Sequence, residues 1–125
     1  MAWEVEFTDE LEAWWGLLFE GEQDAVAHHV GLLGRMGPQL PFPYSSGISG
    51  SKHPHMRELR VQYQGKPYRV PYAFDPHRTV ILLIGGCKVG KGQWYREYVP
   101  IADRLYDEHL TILEQEDSGN GKKIP

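Results

Sequence analysis

The segment Arg57-Glu58-Leu59-Arg60-Val61-Gln62-Tyr63, followed by Gln64-Gly65-Lys66-Pro67 and Tyr68-Arg69-Val70-Pro71-Tyr72-Ala73-Phe74, decides the fold. Both arms alternate with a period of two, the pattern of half-buried strands. Leu59, Val61 and Tyr63 share one face of the first arm, and Glu58, Arg60 and Gln62 the other. In the second arm Tyr68, Val70, Tyr72 and Phe74 form the apolar set, while Arg69, Pro71 and Ala73 face away. A two-residue turn at Gln64-Gly65 pairs Val61 with Tyr68 and Leu59 with Val70. It also sets Arg60 directly opposite Arg69. Both arginines are expected on a solvent-facing surface, where like charges across a ladder repel. An anion between the two guanidinium forks resolves the conflict. Pairing with Glu58 or with helix carboxylates is the other resolution.

Outward from this hairpin, Asp75-Pro76-His77-Arg78 makes a second turn. Thr79 to Ile84 is apolar on both faces and reads as a central strand, and Pro71 belongs at an edge or bulge. Upstream, Trp3 to Phe7 alternates as a short strand. Thr8 or Asp9 then caps a helix carrying Leu11, Trp14, Trp15 and Leu18, with Asp9 and Glu12 resembling a capping box. Gly21 interrupts, and a second helix runs from about Glu22 to Met36 with the stripe Ala25, Val26, His29, Val30, Leu33 and Met36. Residues 37–56, rich in proline and serine, read as a long loop. Downstream, Gly85 to Gly92 reads as a glycine- and lysine-rich loop followed by Trp94-Tyr95-Arg96. Pro100 suits the first turn of a last helix whose apolar face is Ile101, Leu105, Leu110 and Leu113. The order is β-αα-βββ-α, an α+β domain over 1–117 with a polar tail at 118–125.

A length of 125 residues fits one domain. No apolar run approaches a membrane span. The acidic, alternating N-terminus is unlike a signal peptide, and the single Cys87 has no internal disulfide partner. A cytoplasmic protein without membrane partners is expected. The net charge of −4 conceals an asymmetry. Residues 1–51 hold one basic and eight acidic side chains, residues 52–96 nine basic and two acidic, and residues 97–125 three basic and seven acidic. A basic middle between acidic ends is the footprint of an anion site on an acidic protein.

Gly85-Gly86-Cys87-Lys88-Val89-Gly90-Lys91-Gly92 nearly matches a phosphate-binding P-loop, but Gly92 replaces the hydroxyl that would hold Mg²⁺. The 33 residues that follow leave no room for further parallel strands. Exposed backbone N–H groups and the charges of Lys88 and Lys91 remain as an anion-binding feature. Neither cofactor nor metal is expected. His28 and His29 sit on a helix, and His53 and His55 read as exposed loop residues without acidic neighbours.

The linked motifs Met-Arg-Glu-Leu-Arg-Val (56–61), Tyr-Arg-Val-Pro-Tyr-Ala-Phe-Asp (68–75), Val-Ile-Leu-Leu-Ile-Gly-Gly-Cys-Lys (80–88), Trp-Tyr (94–95) and Ile-Ala-Asp-Arg-Leu-Tyr-Asp-Glu-His-Leu (101–110) resemble phage-derived HigB-like toxins of the RelE/ParE superfamily. The likeness covers about residues 3–115. It implies a RelE-like fold, with a small antiparallel-rich sheet packed against two N-terminal helices and a C-terminal helix. It implies an mRNA interferase that acts at the ribosome by metal-independent attack of the ribose 2′-OH. The implied partners are mRNA, the ribosome and a cognate antitoxin of the helix-turn-helix, HigA-like kind. By position, Arg69 resembles the superfamily's phosphate-binding arginine, and Arg60 the arginine of the preceding strand. Lys88 or Lys91 takes the place of the basic residue after the last strand, and Tyr95 that of the tyrosine that stacks on a base or helps proton transfer. Lys52, Arg57, Arg78, Trp94 and Arg96 are then expected along the RNA path. Relatives carry lysines near Met56 and Glu58, one of them a proposed general base. Neither position is basic here, so Glu58, His55 and Tyr95 are the candidates. Cys87 stands where relatives commonly show Asp. Other superfamily members poison DNA gyrase or retain only antitoxin binding, and those readings stand as alternatives.

Overall fold

The hairpin forms in the register the sequence dictates. Gln64 and Gly65 have φ of 49° and 77°, the primed turn whose twist matches the flanking strands. Strands β3 (Arg57–Tyr63) and β4 (Lys66–Phe74) pair with Leu59 opposite Val70, Val61 opposite Tyr68 and Arg60 opposite Arg69. The computed structural model describes residues 2–89 and 91–121, with the side chains at 91 and 119–121 outside the description.

The whole is α+β with a mixed sheet. Its other elements are β1 (Glu4–Phe7), α1 (Asp9–Gly16), α2 (Glu20–Met36), a 3-10 turn (Gly37–Gln39), β2 (Ser45–Gly47), β5 (Thr79–Leu82), β6 (Gly86–Cys87) and α3 (Lys91–Gly121). The strand order is β1-β5-β4-β3-β2, and β6 also pairs with β4. β1 runs parallel to β5; the other pairings are antiparallel. β2 lies inside the stretch expected to be loop.

Pro71 lies on a central strand, not at an edge. Its carbonyl accepts from the Leu83 N–H at 3.0 Å, so its own missing donor points to that same side. There β5 stops pairing at Tyr72 and β6 begins at Arg69. The missing N–H falls in the gap between two neighbours, so no ladder bond is lost.

Thr8 caps α1, its Oγ1 accepting from the Leu11 N–H at 3.0 Å, and Asp9 is the first helical residue. Gly21 does not break α2 but sits in its first turn. A Cβ there would lie 2.1 Å from the Tyr63 hydroxyl. The residue reads as a breaker in sequence, yet its use is a close helix-on-strand approach.

The sheet carries a core on each face. α1 and α2 pack with Leu11, Val26 and Leu33 on Leu59, Val61, Val70 and Tyr72. α3 packs with Ala102, Leu105 and Tyr106 on Met56, Ala73, Ile81 and Leu83. The α3 helix begins well before Pro100, which lies inside it. The buried residues Trp94, Val99, Ala102 and Leu105 keep helical spacing through the proline. Burying them offsets the roughly 3 kcal/mol that an interior proline costs. The helix runs to Gly121, past Ser118 where a tail was expected. Among the described residues no helix is long and apolar enough to cross a membrane.

Candidate functional site

Glu58 is the centre of the polar cluster on the α3 face. It is 2% exposed, although it sits on the face read as polar and solvated. The Tyr95 hydroxyl donates to it, 2.9 Å from Oε1 and 3.0 Å from Oε2. The Ser46 hydroxyl donates to Oε2 at 2.9 Å. Arg60 reaches Oε2 at 3.3 Å and the Arg69 Nε stands 3.9 Å away. The repulsion between Arg60 and Arg69 is thus relieved by a carboxylate from the same sheet face, the second of the two resolutions open in sequence. A buried ion survives only with such partners.

Arg69 does not point to solvent as the alternation implied. It is 6% exposed. β6 lies alongside it, with Gly86 opposite, and the chain then turns into α3, which brings Tyr95 to Glu58. Periodicity identifies a strand face but not what later covers it. Arg69 donates to the Tyr68 carbonyl at 3.0 Å, while its buried Nε has no hydrogen-bond partner. Arg60 keeps 28% of its side chain exposed and is the arginine able to meet an external anion. Lys88 holds its Nζ 5.4 Å from the Tyr95 ring centroid. Burial raises the Tyr95 phenol above its ordinary value, the Glu58 hydrogen bond and charge push the same way, and Arg69 acts against them. The phenol therefore stays protonated at neutral pH and acts as a donor, not as a free base.

Arg60, Arg69 and Tyr95 converge, then, on Glu58, and Lys88 lies over the Tyr95 ring. Lys91 opens α3, but its side chain lies outside the described residues. The five residues expected along the RNA path make other contacts in the folded chain. Lys52 pairs with Asp107 on α3, three helical turns beyond Tyr95. Arg57 points to the opposite sheet face, its Nε donating to the Ser45 Oγ at 2.9 Å. Arg78, in the β4–β5 turn, lies over the Trp3 ring at 4.5 Å. Trp94 is 3% exposed and stacked on Tyr98 at 4.5 Å, so it offers no face to a base. Arg96 is exposed and donates to Gln93 at 3.1 Å. Loop and turn position, strand parity and helix phase separate these from the clustered residues, and composition carries none of them.

His55 is exposed and lines a separate cleft with Arg57 and Phe74, so of the three base candidates Glu58 and Tyr95 remain together. His53 has an acidic partner after all, Asp107 at 2.8 Å, which sequence distance had hidden. Ser46, in the stretch that reads as loop, completes the set around Glu58, and its only signal in sequence is membership in a serine cluster. An apolar cavity of about 360 Å³ opens between β1, α1 and α2, lined by Val5, Phe7, Leu11, Trp15 and Val30. It lies on the other face of the sheet and takes no part in the charged cluster.

Two helices on one face of a mostly antiparallel sheet, with a cationic cluster under a third helix, define a RelE-like fold. The structure matches an arginine-to-alanine double mutant of the E. coli toxin RelE in the free state, with TM-score 0.57, 14% identity, and coverage of 84% of this chain and 99% of that one. It also matches the toxin–antitoxin complex RelBE2 of Mycobacterium tuberculosis, with TM-score 0.53, 21% identity, and coverage of 70% and 100%. The family described as "Phage derived protein Gp49-like (DUF891)" matches residues 13–107, and the chain belongs to it. Two relatives are putative toxins of M. tuberculosis H37Rv. HigB2 is 36% identical over 108 residues, 85% of this chain and 54% of that protein. HigB3 is 36% identical over 103 residues, 82% and 89%. The chain therefore spans about half the length of the first and most of the second.

Proposed function

We propose that the chain is the toxin of a toxin–antitoxin pair and acts as an endoribonuclease on mRNA, in the cytoplasm and at the ribosome. The observation that carries this reading is the buried Glu58 carboxylate with the Tyr95 hydroxyl on it, Arg60 and Arg69 beside it and Lys88 over the Tyr95 ring. RNA brings its own nucleophile, so the protein need supply only proton transfer and charge stabilisation. The 2′-oxygen bonds to the adjacent phosphorus and the bond from phosphorus to the 5′-oxygen breaks. The 2′-OH proton passes through the Tyr95 hydroxyl to Glu58, because the phenol is held above its ordinary value and cannot keep the negative charge. Arg60 steadies the phosphorane, and Lys88 protonates the departing 5′-oxygen. Arg69 is a positioning residue that holds the Glu58 carboxylate in place. No step needs a metal. A cognate antitoxin of the HigA-like, helix-turn-helix kind is the proposed partner that holds the activity in check.

End analysis of cellular mRNA after a short pulse of expression tests this. Upstream fragments should end in 2′,3′-cyclic or 3′-phosphate and downstream fragments in 5′-hydroxyl. Downstream 5′-phosphates make water the nucleophile and sink the mechanism. A DNA-damage response with intact mRNA moves the chain to the gyrase-poison class.

A further inference from the structure

Phe42 stands 69% exposed in the segment between the 3-10 turn and β2. An isolated exposed phenyl is unremarkable on a protein surface. This one lies beside the charged cluster: the Arg60 guanidinium carbon is 5.2 Å from its ring centroid, and the same guanidinium is 3.3 Å from Glu58. One cation spans carboxylate and ring. The backbone that carries the ring is also anchored. Leu40 and Ser45 on either side are buried. The Tyr44 and Ser45 N–H groups both donate to the Pro41 carbonyl, at 2.9 and 3.1 Å, and the Arg60 N–H donates to the Tyr44 carbonyl at 2.8 Å. Pro41 and Pro43 restrict the backbone on each side of Phe42. An exposed aromatic on an anchored backbone, next to a partly exposed arginine, is the arrangement that binds single-stranded nucleic acid by stacking plus phosphate pairing.

The geometry points to Phe42 as a nucleobase platform: a base flanking the scissile phosphate stacks on the ring face that Arg60 leaves open, while Arg60 pairs with the phosphate. This rests on the ribonuclease reading and extends it to how the RNA strand is gripped. Every base has a π-face, so the contact tolerates sequence. An acidic peptide could use Arg60 but would leave the ring idle, and for that reason RNA is favoured.

The test is fluorescence anisotropy at low salt with a short 2′-O-methyl RNA, which lacks the nucleophile, against the full chain. Phe42→Leu keeps apolar bulk and removes the ring; it should weaken binding about 5- to 150-fold. Phe42→Trp keeps a stacking face and should stay within about twofold of the parent. An abasic nucleotide walked along the RNA should weaken the parent at one position and leave Phe42→Leu unaffected there. Equal affinity of Phe42→Leu and parent, or the same abasic profile for both, overturns the platform. If the parent itself fails to bind the RNA, the platform falls, while the ribonuclease reading stands or falls on the end analysis of cellular mRNA. Far-ultraviolet dichroism of both variants checks the fold.

Discussion

Replacing Arg69 by methionine removes a buried charge and keeps most of the side-chain volume. The alternation of the sequence places Arg69 on a solvent face, where such a change is worth within about 0.5 kcal/mol. The structure gives a different magnitude. Glu58, 2% exposed, loses a guanidinium 3.9 Å away. Unpairing one side of a buried ion pair costs about 3–5 kcal/mol. Arg60, Ser46 and Tyr95 still hold Glu58, so the low end, about 3 kcal/mol, applies to Arg69→Met. With a urea m-value of about 2 kcal/mol/M for a chain this size, the midpoint should fall by about 1.5 M. Glu58→Gln should cost a similar amount, because it leaves Arg69 buried without its counter-charge. The double variant removes both charges and should cost clearly less than the sum, with a coupling of about 2 kcal/mol. Urea melts of the four proteins at neutral pH measure all three quantities. Additive costs, or an Arg69→Met loss under about 1 kcal/mol, would refute the buried pair and with it the argument that Arg69 holds Glu58 in place.

Tyr95→Phe keeps the ring under Lys88 but removes the proton path to Glu58; RNA cleavage should drop about 100-fold or more while RNA affinity is retained. A cleavage rate near that of the parent would take Tyr95 out of the reaction. Gly85→Ala places a Cβ 2.3 Å from the Trp14 ring, and the overpacking should cost about 1–3 kcal/mol in a thermal or urea melt; a neutral result would mean that the ring moves aside freely. Tyr68 is buried and donates to Glu22. Burial first, and then the Glu22 hydrogen bond and charge, push its phenol up to about 12 from 10.0. A phenol raised in the folded state contributes stability below pH 10 that disappears as pH rises toward 12. Absorbance titration should show a late phenol near pH 12 that is missing in Tyr68→Phe. Cys87→Ser should leave cleavage near the parent level, since the substrate supplies the nucleophile; inactivation by alkylation, reproduced by the serine variant, would reverse that.

Much of this protein is determined by local rules that the sequence states openly. The period-two pattern and the Gln64-Gly65 turn set the β3–β4 register, and with it Arg60 opposite Arg69, because a two-residue turn leaves one pairing in which the apolar faces agree. The same local logic placed the N-terminal strand and both early helices to within about two residues. What the tertiary structure alone decided is which polar groups meet. Glu58 and Tyr95 are far apart in sequence and join only when α3 lies across the sheet. The identical contact buries Arg69, which periodicity had assigned to water. Lys52, Arg57 and Arg78 look the same as Arg60 in composition, yet a loop, the opposite strand face and a turn carry them elsewhere. Gly21 reads as a helix interruption and Pro100 as a first-turn residue, because the local cost of each inside a helix is visible in sequence. The long-range packing that outweighs that cost is visible only in the folded chain.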